Sequence, residues 1–142
     1  MEIIQKNAWV SCPPHVVYDL VTDVEKYPSF LPWCGAAKIL KHFEDGIEAS
    51  LTVSKGGLSK NFTTRNIHVP HQRIEMHLLS GPFKHLEGVW TFEPEQGGTR
   101  VTLHLEFSFD SRLIAMMLNP LFQPVAHTLL EAFVKEVSNH EG

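Results

Sequence analysis

The sequence is poor in cysteine, in charge and in unbroken apolar runs, and each shortage narrows what the chain can be. Only two cysteines occur, Cys12 and Cys34, without the C-x-x-C spacing of a redox or zinc motif. They could pair, but two buried thiols in a reducing compartment are expected. No apolar run approaches the ~20 residues of a membrane-spanning helix. Met1 to Lys6 offers neither a long apolar stretch nor an Arg-rich amphipathic leader, so no secretory signal or transit peptide is expected there. Charged residues amount to 20% and the formal net charge is −4, which gives no global electrostatic reason to bind nucleic acid, DNA included, or anionic lipid, and leaves only a local basic patch for such contacts.

Catalytic signatures are missing as well. There is no G-x-S-x-G elbow, H-E-x-x-H, P-loop or G-x-G-x-x-G. Nine histidines raise the question of a metal, yet zinc needs three or four converging ligands. His68-x-x-His71 spans Pro70 with no Cys or His following at finger-like spacing, so no metal is expected. Glu87 approaches His104 or Glu106 if their strands are neighbours. Their parity puts them on a wet face, where an acid–base pair would have no cavity to serve. Cys34 lacks a cationic sequence neighbour to lower its pKa, and is expected to be inert.

What is present is a chain of 142 residues, 43% hydrophobic, enough for one domain (1–142) with a substantial core. Its most informative segment is Tyr27-Pro28-Ser29-Phe30-Leu31-Pro32-Trp33-Cys34, uncharged and rich in proline and aromatic residues. Two prolines make a continuous helix there improbable. Such a segment either plugs one end of a core or rims an apolar cavity, as a lid over its mouth.

Periodicity supplies the elements. Residues 2–10 suit a strand. Pro13 and Pro14 suit the first turn of a helix, and Val17, Leu20, Val21 and Val24 give it one apolar face, with a stop by Tyr27. From 36 to 109 the period becomes two: Ile47, Ala49, Leu51 and Val53; then Ile74, Met76 and Leu78; then Val101, Leu103, Leu105, Phe107 and Phe109. Turn signals at Asp45-Gly46, Lys55-Gly56-Gly57, Pro70-His71-Gln72, Gly81-Pro82 and Gln96-Gly97-Gly98 divide this stretch into about six antiparallel strands. A helix capped by Asp110 or Ser111 follows. Its stripe runs Ile114, Met117, Leu118, Leu121, Phe122, Val125, Leu129, Ala132 and Phe133, with a kink or break expected at Pro120 and Pro124, near Asn119. A long helix on the apolar side of a curved sheet is an α+β arrangement. The two curve differently, so a gap between them is expected.

Three motifs, in order and at matching spacing, carry a family resemblance: Tyr27 to Cys34; Val53-Ser54-Lys55-Gly56-Gly57-Leu58-Ser59-Lys60-Asn61-Phe62-Thr63-Thr64-Arg65-Asn66; and Gly81-Pro82-Phe83-Lys84-His85-Leu86-Glu87-Gly88-Val89-Trp90-Thr91-Phe92. The chain resembles the coenzyme Q-binding proteins and the ribosome association toxins, a branch of the START-like, polyketide cyclase/dehydrase superfamily. The resemblance implies a helix-grip fold, a seven-stranded antiparallel sheet wrapped around a long C-terminal helix. It also implies an apolar tunnel for a ubiquinone-like isoprenoid, held without chemical change and with no required cofactor. The implied role is support of respiration by a bacterial, cytoplasmic protein, with transient contact at the inner membrane.

The expected rim and walls of that tunnel are Tyr27, Phe30, Leu31, Trp33, Phe62, Met76, Leu78, Phe83, Leu86, Trp90, Phe92, Leu105, Phe107, Leu121 and Val125, with Phe109 beside them. The Trp90 indole N–H is a candidate partner for a quinone carbonyl. The alternative role is binding the large ribosomal subunit and blocking subunit joining, which needs a cationic surface. Lys55, Lys60 and Arg65 around one hairpin, with Lys84 on another strand, are its candidates; the bland account is solvated hairpin charge. The same lysines could touch anionic lipid while Leu58 dips into the interface. A cyclase-like activity on a polyketide is the third possibility.

Overall fold

The computed structural model describes residues 1–141. Strand β1 (Glu2–Val10) is followed by helix α1 (Pro14–Thr22) and a 3₁₀ helix over Val24–Ser29. Strands β2 (Cys34–Phe43), β3 (Gly46–Lys55), β4 (Leu58–Val69), β5 (Arg73–Ser80), β6 (Phe83–Glu95) and β7 (Gly98–Phe109) then lead to helix α2 (Arg112–Glu141). All seven strands form one antiparallel sheet in the order β1-β7-β6-β5-β4-β3-β2. The first strand thus closes onto the last, and the rest is a meander joined by the turns that the glycine and proline signals mark. The fold is the expected START-like helix grip, with α2 laid across the inner face of the curved sheet.

Strand phases follow the alternation. Val101, Leu103, Leu105, Phe107 and Phe109 are buried, while the residues between them are partly exposed. Helix α1 has Pro13 at its N-cap position, where the missing amide proton is no loss. It ends at Thr22, earlier than the apolar spacing suggests, and Val24 falls in the 3₁₀ helix that runs through Pro28. The tighter turn needs few internal bonds, and the amide of Leu31 returns to the Tyr27 carbonyl at 2.9 Å to close it.

Helix α2 is continuous through Pro120 and Pro124, so the expected break near Asn119 does not occur. The two prolines lie four apart, so the amide lost at 124 would have bonded the carbonyl of 120. The carbonyls left over are thus those of Met116 and Pro120, while Thr128 Oγ1 adds a second donor to the Pro124 carbonyl at 2.6 Å. At the start, the Ile114 amide donates to Ser111 Oγ at 3.1 Å, identifying Ser111 rather than Asp110 as the cap. The buried stripe runs through Leu118, Leu121, Phe122, Ala126, Leu130, Phe133 and Val137. Met117, one position off that line, is exposed together with Leu113 and Met116. Arg112–Asn139 has the length and hydropathy to cross a membrane, although no unbroken apolar run foretold it; a core helix has the same composition, and here the stripe faces the sheet.

Candidate functional site

Helix and sheet do not touch along their whole length, and between them lies a cavity of about 110 Å³. Two aromatic clusters bracket it. At one end Phe83 lies 4.8 Å from Phe122, 5.1 Å from Phe109 and 5.7 Å from Phe62, centroid to centroid. At the other, Phe133 meets Tyr27, Phe30 and Trp90 edge to face at 5.2, 5.3 and 5.2 Å. From Phe122 to Phe133 the helix rises roughly 16 Å, so the clusters act as props at the two ends of the opening.

Of the expected walls, Tyr27, Trp33, Phe62, Met76, Phe83, Leu86, Trp90, Leu105, Phe107 and Val125 line the cavity. Phe30, Leu31, Leu78, Phe92 and Leu121 do not, and neither does Phe109. Phe30 sits behind the wall against Tyr27 and Phe133. Leu31 and Leu121 are sealed in the core. Leu78 lies under the Gly81 turn beside Phe62, where a register shift at Thr63/Thr64 ends regular pairing. Phe92 stacks on Trp90 and turns towards Tyr18 of α1. The Tyr27–Cys34 segment is therefore both rim and plug: Tyr27 and Trp33 face the cavity, and Leu31 fills the core. The buried Tyr27 hydroxyl donates to the Val21 carbonyl, and burial, with the charges of Cys34 and Asp23 nearby, raises its pKa well above the ordinary phenol.

Sequence reasoning missed the polar part of the wall. Thr64 and Asn66 are buried and line the cavity, with Thr64 Oγ1 donating to Asn66 Oδ1 at 2.7 Å. They share strand parity with Phe62, which was the available signal. The remaining missed wall residues, among them Val24, Ala49, Leu51, Val53, Gly88, Ala126, Leu129 and Phe133, are simply small or apolar. Among the described lining residues there is no carboxylate, imidazole, lysine or thiol. Cys34 is buried with its thiol donating to the Ala36 carbonyl at 3.4 Å; burial pushes its pKa up, offset in part by hydrogen bonding from the Ala36 backbone.

The proposed cationic cluster needs one correction. Arg65 is not with Lys55 and Lys60. It points to the outer face, pairs with Asp45, and lies 4.0 Å over the Phe43 ring. It sits five residues up β4 from Lys60, roughly 17 Å away, and it is neutralised. Lys55, Lys60 and Lys84 instead belong to the opposite end of the sheet, that of the β3–β4 and β5–β6 turns, and the pairing of Phe83 with Phe109 puts Arg112, at the start of α2, at the same end. Lys6, Lys26, Arg65, Arg73 and Arg100 are each paired with a carboxylate. Among the described residues, Lys38, Lys41, Lys55, Lys60, Lys84, Arg112 and Lys135 are in no ion pair, and Lys55, Lys60, Lys84 and Arg112 of these belong to that one end.

A helix-grip sheet holding an apolar cavity against a long C-terminal helix is the START-like class of binding domain. The family described as polyketide cyclase/dehydrase and lipid transport matches residues 10–134, and the chain belongs to it, in the branch of the ribosome association toxins and, more distantly, the coenzyme Q-binding proteins. The ribosome association toxin RatA of Pseudomonas aeruginosa is 43% identical over 140 residues, covering 98% of this chain and 97% of that one. The mitochondrial coenzyme Q-binding protein COQ10 homolog B of Xenopus laevis is 29% identical over 131 residues, covering 89% of this chain and 54% of that protein. Among solved structures, a START superfamily protein from Mycobacterium smegmatis aligns with a TM-score of 0.81 at 22% identity, over 96% of this chain and 97% of that one. The Zhui aromatase/cyclase from Streptomyces sp. R1128 aligns with a TM-score of 0.87 at 18% identity, over 99% and 96%. At those identities the two structures speak for the fold alone.

Proposed function

We propose that this protein associates with the ribosome in the bacterial cytoplasm and performs no chemistry of its own. The observation that carries this reading is the full-length likeness to RatA at 43% identity, well above the likeness to COQ10. The expected quinone role therefore takes second place. The surface best suited to ribosomal RNA is the end bearing Lys55, Lys60, Lys84 and Arg112, whose charges are not consumed by carboxylates on the same molecule. Phosphate contacts from such a patch would make binding fall steeply with salt.

Sedimentation of the purified protein with ribosomal subunits tests this. Co-sedimentation at low salt, lost as salt rises and weakened in a Lys55→Ala/Lys60→Ala/Lys84→Ala variant, is the expected result. Failure of the unaltered protein to sediment with either subunit at any salt would overturn it.

A second reading rests on the cavity: an apolar ligand, a quinone among the candidates, held between the aromatic clusters with Thr64 and Asn66 as its polar contact. Volume sets a limit. A cavity of ~150 Å³ holds one benzene, so about 110 Å³ suits at most one ring-sized group. A polyprenyl tail enters only if α2 moves outward. Solvent extraction and mass spectrometry of the purified protein should recover such a ligand. Repeated recovery of none, with no uptake of added quinone, would remove this reading and leave the first intact.

A further inference from the structure

We propose that the outer face of the sheet carries a divalent-metal site, best suited to Zn²⁺, built from His85 and Glu87 on β6 and Glu106 on β7. The register sets Glu87 directly opposite Glu106. Two carboxylates in that relation repel, and an antiparallel pair is normally destabilised by it. His85 precedes Glu87 by two residues and so shares its face. The ligating atoms of the three side chains all lie within 4.8 Å of one another, with His85 Nε2 3.5 Å from Glu106 Oε1. In a tetrahedral zinc site with bonds of ~2.0–2.2 Å, ligand atoms stand ~3.3 Å apart. The three are somewhat wider than that spacing, so holding an ion requires their side chains to turn inward.

His85 Nε2 is shielded from solvent, and its polar neighbour is Glu106 Oε1 at 3.5 Å, so the imidazole already leans on the carboxylate with which it would share an ion. Each carboxylate also has a second histidine behind it. His104 Nε2 is 2.7 Å from Glu106 Oε2, which leaves Oε1 turned to His85. His77 Nδ1 is 3.7 Å from Glu87 Oε1, with Glu75 on its far side at 3.4 Å. Outer partners of this kind orient ligating groups and tune affinity. One imidazole with two carboxylates favours zinc over magnesium or calcium, which prefer oxygen alone. Three protein ligands leave a fourth position for water. The chain-spacing test misses the site because a sheet brings residues 85, 87 and 106 together at no motif spacing.

The test is calorimetric titration of chelator-treated protein with ZnCl₂, with MgCl₂ as control. One equivalent of zinc should bind, and His85→Ala and Glu87→Gln should each weaken it at least tenfold. A second readout separates ligation from mere structure. Without metal, Glu87→Gln should melt at the same temperature as the unaltered protein or higher, because it removes one of two facing charges. Added zinc should raise the melting temperature of the unaltered protein and not of the variant. Absence of both heat and melting shift in the unaltered protein would overturn the proposal. So would undiminished zinc binding by the His85→Ala/Glu87→Gln double variant, which would place the ion elsewhere, for instance near His15 and His71, whose rings are 6.2 Å apart.

Discussion

Trp90 of β6 and Phe133 of α2 meet edge to face, with ring centroids 5.2 Å apart and planes inclined by 71°. This contact ties sheet to helix at one end of the cavity, and both residues are almost wholly buried. Phe133→Ala should therefore cost ~3–5 kcal/mol in urea unfolding. Phe30→Ala, in the same cluster but half-buried, should cost clearly less. Equal losses would show that the helix is not braced here.

Gly46 opens β3 with φ of 152°, and a Cβ there would stand 1.9 Å from the Asn66 carbonyl oxygen. That oxygen is backbone in the neighbouring strand and cannot swing aside. Gly46→Ala should destabilise severely, whereas Gly56→Ala, with nothing within 4 Å, should lose only ~1 kcal/mol through its left-handed backbone. Thermal melting of the pair reads the contrast directly.

His68 lies partly buried with Nε2 shielded and unbonded. Burial, helped by the charge of Arg65 and opposed by Asp45, holds its pKa below the usual imidazole value. The unfolded chain then takes up this proton at a higher pH than the folded one. Stability linked to His68 should be complete above about pH 6.5 and fall as the pH drops from there through the folded value. His68→Gln should flatten that part of the profile when urea midpoints are compared between pH 8 and 5. An unchanged profile would contradict the assignment.

Arg65→Ala should leave ribosome co-sedimentation and its salt dependence unchanged, because Arg65 is neutralised by Asp45 and lies away from Lys55 and Lys60. It should lower stability, since it removes both the ion pair and the stacking on Phe43. A large loss of co-sedimentation in a variant that still folds would move the contact surface to the Arg65 end.

Ser111→Ala should cost ~1 kcal/mol by removing the acceptor for the Ile114 amide. Asp110→Ala should cost less. The comparison distinguishes which of two adjacent residues caps α2.

Much of the fold could be read along the chain because its causes are local. Alternation from Val101 to Phe109 states which face of β7 is buried, and glycine or proline turn signals mark every hairpin. What misled was equally local. Proline at 120 and 124 argued for a break in α2, but a helix pressed on a sheet can lose two bonds without separating. Met117 fitted a generous apolar stripe, and only the seating of the helix leaves it in water. Arg65 looked like a neighbour of Lys60 in sequence, although five residues of extended chain and a change of face divide them.

Residue order alone settled the seven strands, their turns, the final helix and the inward phase of the aromatic residues, since period and steric preference belong to neighbouring residues. Tertiary structure decided how far α2 stands off the sheet, which rings prop that opening, and that Glu87 confronts Glu106 beneath His85. Those outcomes depend on register and packing between segments far apart in the chain, and no local pattern encodes the distance between two surfaces.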